Sequence, residues 1–165
     1  MIKYLILIFI PIFLYSCNDY KCENTKELSL GVFESIKNLQ ENDINWYKKR
    51  LVNKQDLQVF SNQKGIPDSV KKYIKDSLTD YRINNEIEKA YNVLKQEILD
   101  NDIVSNKIEY IDFTIEIDNE NEIEGYKGIL YFSFNDKIYL TDFIGFKIDN
   151  YYKIWDIKNI RKKIK

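Results

Sequence analysis

The chain has 165 residues, 44% of them hydrophobic and 31% charged, which is enough for one ordinary core and too apolar for a disordered chain. Lys+Arg 25 against Asp+Glu 26 leaves a net charge of -1, without the basic excess of a nucleic-acid binder. There is no histidine, which removes Ser-His-Asp and Cys-His catalysis, imidazole metal ligands and the usual pH switch. The first element is a leader. Lys3 gives a positive start, and Tyr4 to Tyr15 (YLILIFIPIFLY) is an uncharged apolar run that stops at Ser16-Cys17. That is the pattern of a secretory signal. The run falls short of the roughly 20 residues a membrane span needs, and Pro11 interrupts a continuous helix.

Leu14-Tyr15-Ser16-Cys17 resembles the lipobox of bacterial lipoproteins: leucine three before the cysteine and a small residue one before it, with Tyr15 where a small or branched residue is usual. The resemblance implies that residues 1–16 are removed and that Cys17 carries a diacylglycerol and an acylated amino group. The membrane would then be a partner through that anchor, since several acyl chains hold stably where one does not. Asn18, where Asp would resemble an inner-membrane retention signal, points to the outer membrane of the envelope. An ordinary signal peptide or a short anchor is the alternative, and a Cys17–Cys22 disulfide would exclude lipidation. Residues 17–25 read as a polar tether, with Cys22 as an exposed thiol without a role. Two cysteines and no histidine make a poor structural zinc set, and no cofactor is expected.

From residue 26 to 160 the chain reads as one domain, followed by a basic tail over 161–165. Leu28, Val32, Phe33, Ile36 and Leu39 predict a helix from about Thr25 to Gln40, with Thr25 as cap. Ile44, Tyr47 and Leu51 predict a second, short helix behind Asn42-Asp43, and Leu57 and Phe60 a third. After Lys64-Gly65-Ile66-Pro67 a helix carries Val70, Tyr73, Ile74, Leu78 and Tyr81. A last one carries Ile83, Ile87, Tyr91, Leu94 and Ile98, with Asn84-Asn85 as a place where the run can break.

The period then switches to two. Ile111, Phe113, Ile115 and Ile117 alternate with Asp112, Thr114 and Glu116, and a bulge near Tyr110 accounts for the opposite parity of Ile108 and Tyr110. Tyr126, Gly128, Leu130, Phe132 and Phe134 follow, then Ile138, Leu140, Ile144, Phe146 and Ile148 with Asp142 in the same row. In the last strand Trp155 and Ile157 are expected on one side and Tyr152 and Ile154 on the other. Turns at Asn119–Glu122, Asn135-Asp136 and Asp149-Asn150 make the strands a four-stranded antiparallel meander. The predicted class is α+β, with the helices on one face of the sheet.

Short helices followed by long strands, closing with Phe146-Lys147-Ile148-Asp149-Asn150-Tyr151-Tyr152-Lys153-Ile154-Trp155-Asp156-Ile157, resemble the cystatin-like or NTF2-like cone of small Bacteroidetes-type envelope lipoproteins. NTF2-like enzymes often use a His–Asp pair, which this chain lacks. For a catalyst without histidine, the weak candidate is Asp142: on a buried row it would be a base with a raised pKa, and otherwise it faces water or pairs with Lys or Tyr. Tyr126, Tyr131, Tyr139, Tyr151, Tyr152 and Trp155 are candidates to line a ligand cavity, to form an interface or to pack a core. No metal site is expected, because the acids of the first strand lack the spacing of a calcium loop. The leading expectation is a lipid-anchored, non-catalytic envelope module that binds an unknown protein or small ligand. The alternatives are a small NTF2-like enzyme using Asp142 and a Tyr, and a toxin-immunity-type lipoprotein.

Overall fold

The computed structural model describes residues 20–118 and 125–164, so the leader, Cys17, Asn119–Glu122 and the last residue lie outside the described residues. Helices α1 (Thr25–Lys37), α2 (Ile44–Lys48), α3 (Lys54–Ser61), α4 (Asp68–Ser77) and α5 (Asp80–Asp100) precede strands β1 (Glu109–Asp118), β2 (Gly125–Phe134), β3 (Lys137–Ile148) and β4 (Tyr151–Lys162). The strands pair in chain order and antiparallel, so the fold is α+β with a four-stranded meander.

Four helices open on a side-chain cap. Asn24 accepts from the Glu27 N–H, Asp43 from Trp46, Asn53 from Asp56 in a capping box, and Thr79 from Arg82. The cap of α1 is therefore Asn24, not Thr25, and α1 ends at Lys37 rather than Gln40. The break before α5 falls at Leu78-Thr79, where Thr79 satisfies the first free amide; Asn84-Asn85 lies inside the helix. The stripe Ile83, Ile87, Tyr91, Leu94 and Ile98 is buried as the periodicity predicts.

The two-residue turn Asn135-Asp136, both residues at positive φ, fixes the β2–β3 register. Phe134 pairs with Lys137, Phe132 with Tyr139, Leu130 with Thr141 and Gly128 with Phe143. The inner row of β3 is therefore Tyr139, Thr141, Phe143 and Gly145, all buried. The expected row Leu140–Asp142–Ile144 points to the other face, because a register set by the turn overrides the small difference in apolar content between the two rows. The bulge in β1 is found, with Ile111 as its extra residue. A second bulge makes Trp155 an extra residue of β4. It brings both Ile154 and Ile157 into the core and turns Trp155 outward, which corrects their assignment to opposite sides.

Helix α1 crosses the inner face at Gly145, where a Cβ would lie 2.6 Å from Leu28 Cδ2. The next residue, Phe146, packs its ring on Phe60 of α3, with centroids 5.6 Å apart. Neighbouring strand residues face opposite ways. At this corner α3 thus lies across the sheet from α1, and the expectation of helices on one face holds for α1 but not for α3.

The free edge of β4 is covered at three places. Cys22 and Tyr152 exchange two main-chain hydrogen bonds of 3.0 and 2.7 Å, the Val52 N–H donates to Ile154 O at 2.8 Å, and the Ile160 N–H donates to the Glu97 carboxylate at 2.9 Å. Cys22 is consequently buried within the sheet edge and is not an exposed thiol. Within the tether, Tyr20 packs against Gly31 and stacks on Arg50. Among the described residues no helix is long and apolar enough to cross a membrane.

Candidate functional site

The largest polar feature of the interior is a buried charge cluster that the sequence did not announce. Lys153 Nζ donates to Asp56 Oδ2 at 2.8 Å and to Leu51 O at 3.4 Å. The Tyr151 hydroxyl donates to Asp56 Oδ1 at 2.8 Å, and the Asn53 N–H donates to Oδ2 at 3.0 Å. Lys153 and Asp56 are buried, so the carboxylate is held by three donors away from water. Asp56 is also the N3 residue of the α3 capping box, and the cluster fastens α3 to the start of β4. The capping pattern Asn53-x-x-Asp56 is visible in the sequence. Its union with Lys153, almost a hundred positions away, exists only in the fold.

Asp142 sits on the outer face. Arg161 grips it with two nitrogens, at 2.9 and 2.8 Å, and the Asn159 amide donates to it at 2.9 Å. Partial burial raises its pKa, but the hydrogen bonds from Arg161 and Asn159, with the Arg161 and Lys158 charges, hold it below the usual carboxylate range. An anion held this way is a poor proton acceptor, and the outer-face hollow of about 340 Å³ that it lines with Glu116 and Lys158 is open to solvent.

The aromatic candidates do not converge on one site. Tyr126 is buried and meets Tyr152 edge-on at 5.2 Å, and Tyr139 is buried in a stack with Phe132. Tyr131 lies half-buried on the outer face beneath Lys163, at the other end of the sheet. Tyr151 belongs to the Asp56 cluster, with Lys21 over its ring at 4.3 Å.

Trp155 differs from the rest. It remains 36% exposed and rests edge-on against Phe146. It forms one wall of a groove of about 540 Å³ between β4 and α5. The floor is aliphatic, with Leu51, Val52, Ile83, Ile87 and Ile157 buried. Tyr73 and Val93, both half-exposed, stand at its margins. The rim charges are mostly matched, Asp156 with Lys158 at 3.4 Å and Glu86 with Lys89 at 2.8 Å, while the Arg82 guanidinium donates to Ser77 O. Between Arg82 and Val93 the α5 wall is roughly 16 Å long at 1.5 Å per residue. Such a trough takes an extended apolar body, since its floor offers no polar anchor. Sequence reasoning singled out Trp155, but it did not find the α5 wall. Val93, exposed and off the buried stripe of α5, was the available signal; Tyr73, expected on the apolar stripe of its helix, is half-exposed instead.

No protein-family model matches the chain, no curated protein is similar to it, and no solved structure matches its fold. Among the described residues no group of three or more Cys, Asp or Glu side chains is arranged to hold a metal ion.

Proposed function

We propose that this protein is a lipid-anchored cell-envelope module whose domain binds an elongated, mainly apolar ligand in the α5–β4 groove. Trp155 carries the reading. A bulge turns this large side chain out of the core, at a cost of about 2 kcal/mol of lost burial, and sets it over an aliphatic floor. Exposed aromatics over a concave apolar surface are the usual make-up of a binding site. Binding is favoured over the Asp142–Tyr enzyme because both Asp142 oxygens are already engaged. The anchor half rests on the apolar leader and on Leu14-Tyr15-Ser16-Cys17. Tyr20, three residues beyond Cys17, packs against Gly31 and Arg50, and that chain reach would keep the domain within about 10 Å of the anchoring residue. The helices-then-meander order supports kinship with the NTF2-like or cystatin-like cone.

A photoreactive residue at position 93 in intact cells tests the groove, with position 26 on the exposed side of α1 as control. A ligand that crosslinks from 93 and not from 26, and that is lost in Trp155→Ala, supports the reading. Equal labelling from both positions overturns it. Labelled palmitate that enters the protein and disappears in Cys17→Ser tests the anchor separately.

A further inference from the structure

The two edges of the sheet are treated unequally. The β4 edge is closed by Cys22, Val52 and Glu97, whereas β1 ends the sheet on the other side with ten residues and no neighbouring strand among the described residues. An edge strand presents a row of main-chain donors and acceptors; here one donor, the Phe113 N–H, is held by the Asp112 carboxylate at 2.8 Å in a contact an added strand would exchange. Its side chains are sorted by face. The β2 register places Phe113, Ile115 and Ile117 on the helix side, opposite Leu130, Gly128 and Tyr126. Ile117 is 56% exposed and Phe113 and Ile115 are only half-buried, so the apolar row runs out past the helices to the open edge. On the outer side stand Glu109, Asp112, Thr114 and Glu116. Lys127 lies beside Glu116 in the register, but Tyr131 and Ser133 are the neighbours of Asp112 and Glu109.

We propose that the β1 edge is a docking site for an extended segment of a partner protein in which basic and apolar residues alternate. The partner strand would add to the sheet through its main chain. Its basic side chains would oppose Asp112 and Glu116, and its apolar ones would continue the Phe113–Ile115–Ile117 row. A second copy of this chain fits less well, since its β1 strand is itself acidic and offers no basic side chain between Glu109 and Asp118. Antiparallel self-pairing centred on Thr114 would set Asp112 against Glu116 twice, and like charges opposed across strands are destabilising. The site is separate from the α5–β4 groove and does not depend on it.

The test uses the detergent-solubilised full chain and three synthetic nine-residue peptides. One alternates Lys with Val or Thr, one replaces each Lys by Glu, and one scrambles the lysine peptide so that alternation is lost at equal charge. The alternating lysine peptide is expected to bind, to slow amide exchange over 109–118, and to lose about tenfold in affinity in Asp112→Lys/Glu116→Lys, two exposed changes that leave the circular dichroism spectrum unaltered. The glutamate peptide is expected to be inert and the scrambled one at least about tenfold weaker. Equal affinity for the scrambled peptide, protection outside β1, or no binding by the alternating peptide would overturn the proposal.

Discussion

Removing the carboxylate of Asp56 is the sharpest test of how the two halves of the chain are joined. Lys153 is 0% exposed and Asp56 3%, so Asp56→Ala leaves an ammonium group in the interior without its counter-charge. Breaking a buried pair from one side costs about 3–5 kcal/mol. The same change removes the capping-box acceptor of the Asn53 N–H, worth about 1 kcal/mol. The expected loss is about 4–6 kcal/mol, or roughly 10–20 °C in Tm for a domain of this size. Lys153→Met leaves Asp56 with the Tyr151 hydroxyl and the Asn53 N–H, and loses less. Urea unfolding followed by far-ultraviolet circular dichroism on both single variants and the double closes a mutant cycle. A coupling energy of about 2 kcal/mol or more is expected, because the double variant no longer buries either charge. Coupling below about 0.5 kcal/mol would refute the reasoning, since the charges would then be reached by water.

Gly145→Ala puts a methyl against Leu28 and 3.2 Å from Lys153 O; a loss of about 1–3 kcal/mol is expected, partly restored by adding Leu28→Ala, with both read from urea midpoints. Burial, with help from the Glu27 charge and against that of Arg50, pushes the Cys22 thiol up to about 12, while an unfolded thiol ionises near 8.5. Between those values the unfolded chain releases a proton that the folded one keeps, so stability falls as pH rises, by up to about 1.4 kcal/mol per pH unit. Urea midpoints from pH 8 to 11 measure this slope, and an identical slope in Cys22→Ala would show that another group is responsible. Cys22 should likewise resist alkylation in the native protein and react once urea unfolds it, as mass spectrometry will show. Asp142→Asn should cost under about 1 kcal/mol at neutral pH, because the Arg161 pair is partly exposed. Its folded pKa is lowered, so that contribution is present above the unfolded value near 3.9 and disappears as acid titrates the folded carboxylate, a difference visible in acid unfolding curves of the two proteins.

Local chemistry carried much of this fold in plain view. The 3.6-residue stripes of α1 and α5, the switch to period two at Ile111, and the Asn135-Asp136 and Asp149-Asn150 turns were all legible, because each depends on residues a few positions apart. The inner row of β3 was within reach too. Had the two-residue turn been combined with the Tyr126–Phe134 alternation, Asp142 would have fallen on the outer face. Pairing across long separations was not legible. Nothing near Asp56 names Lys153, nothing near Cys22 names Tyr152, and a bulge at Trp155 leaves no mark in an apolar run. Those choices rest on which segments meet at the β4 edge, and that is decided by the packing of the whole core. The sequence alone therefore determined the elements and the order of the strands. Tertiary structure decided which face each side chain serves, which edge carries no further strand among the described residues, and where Trp155 meets α5.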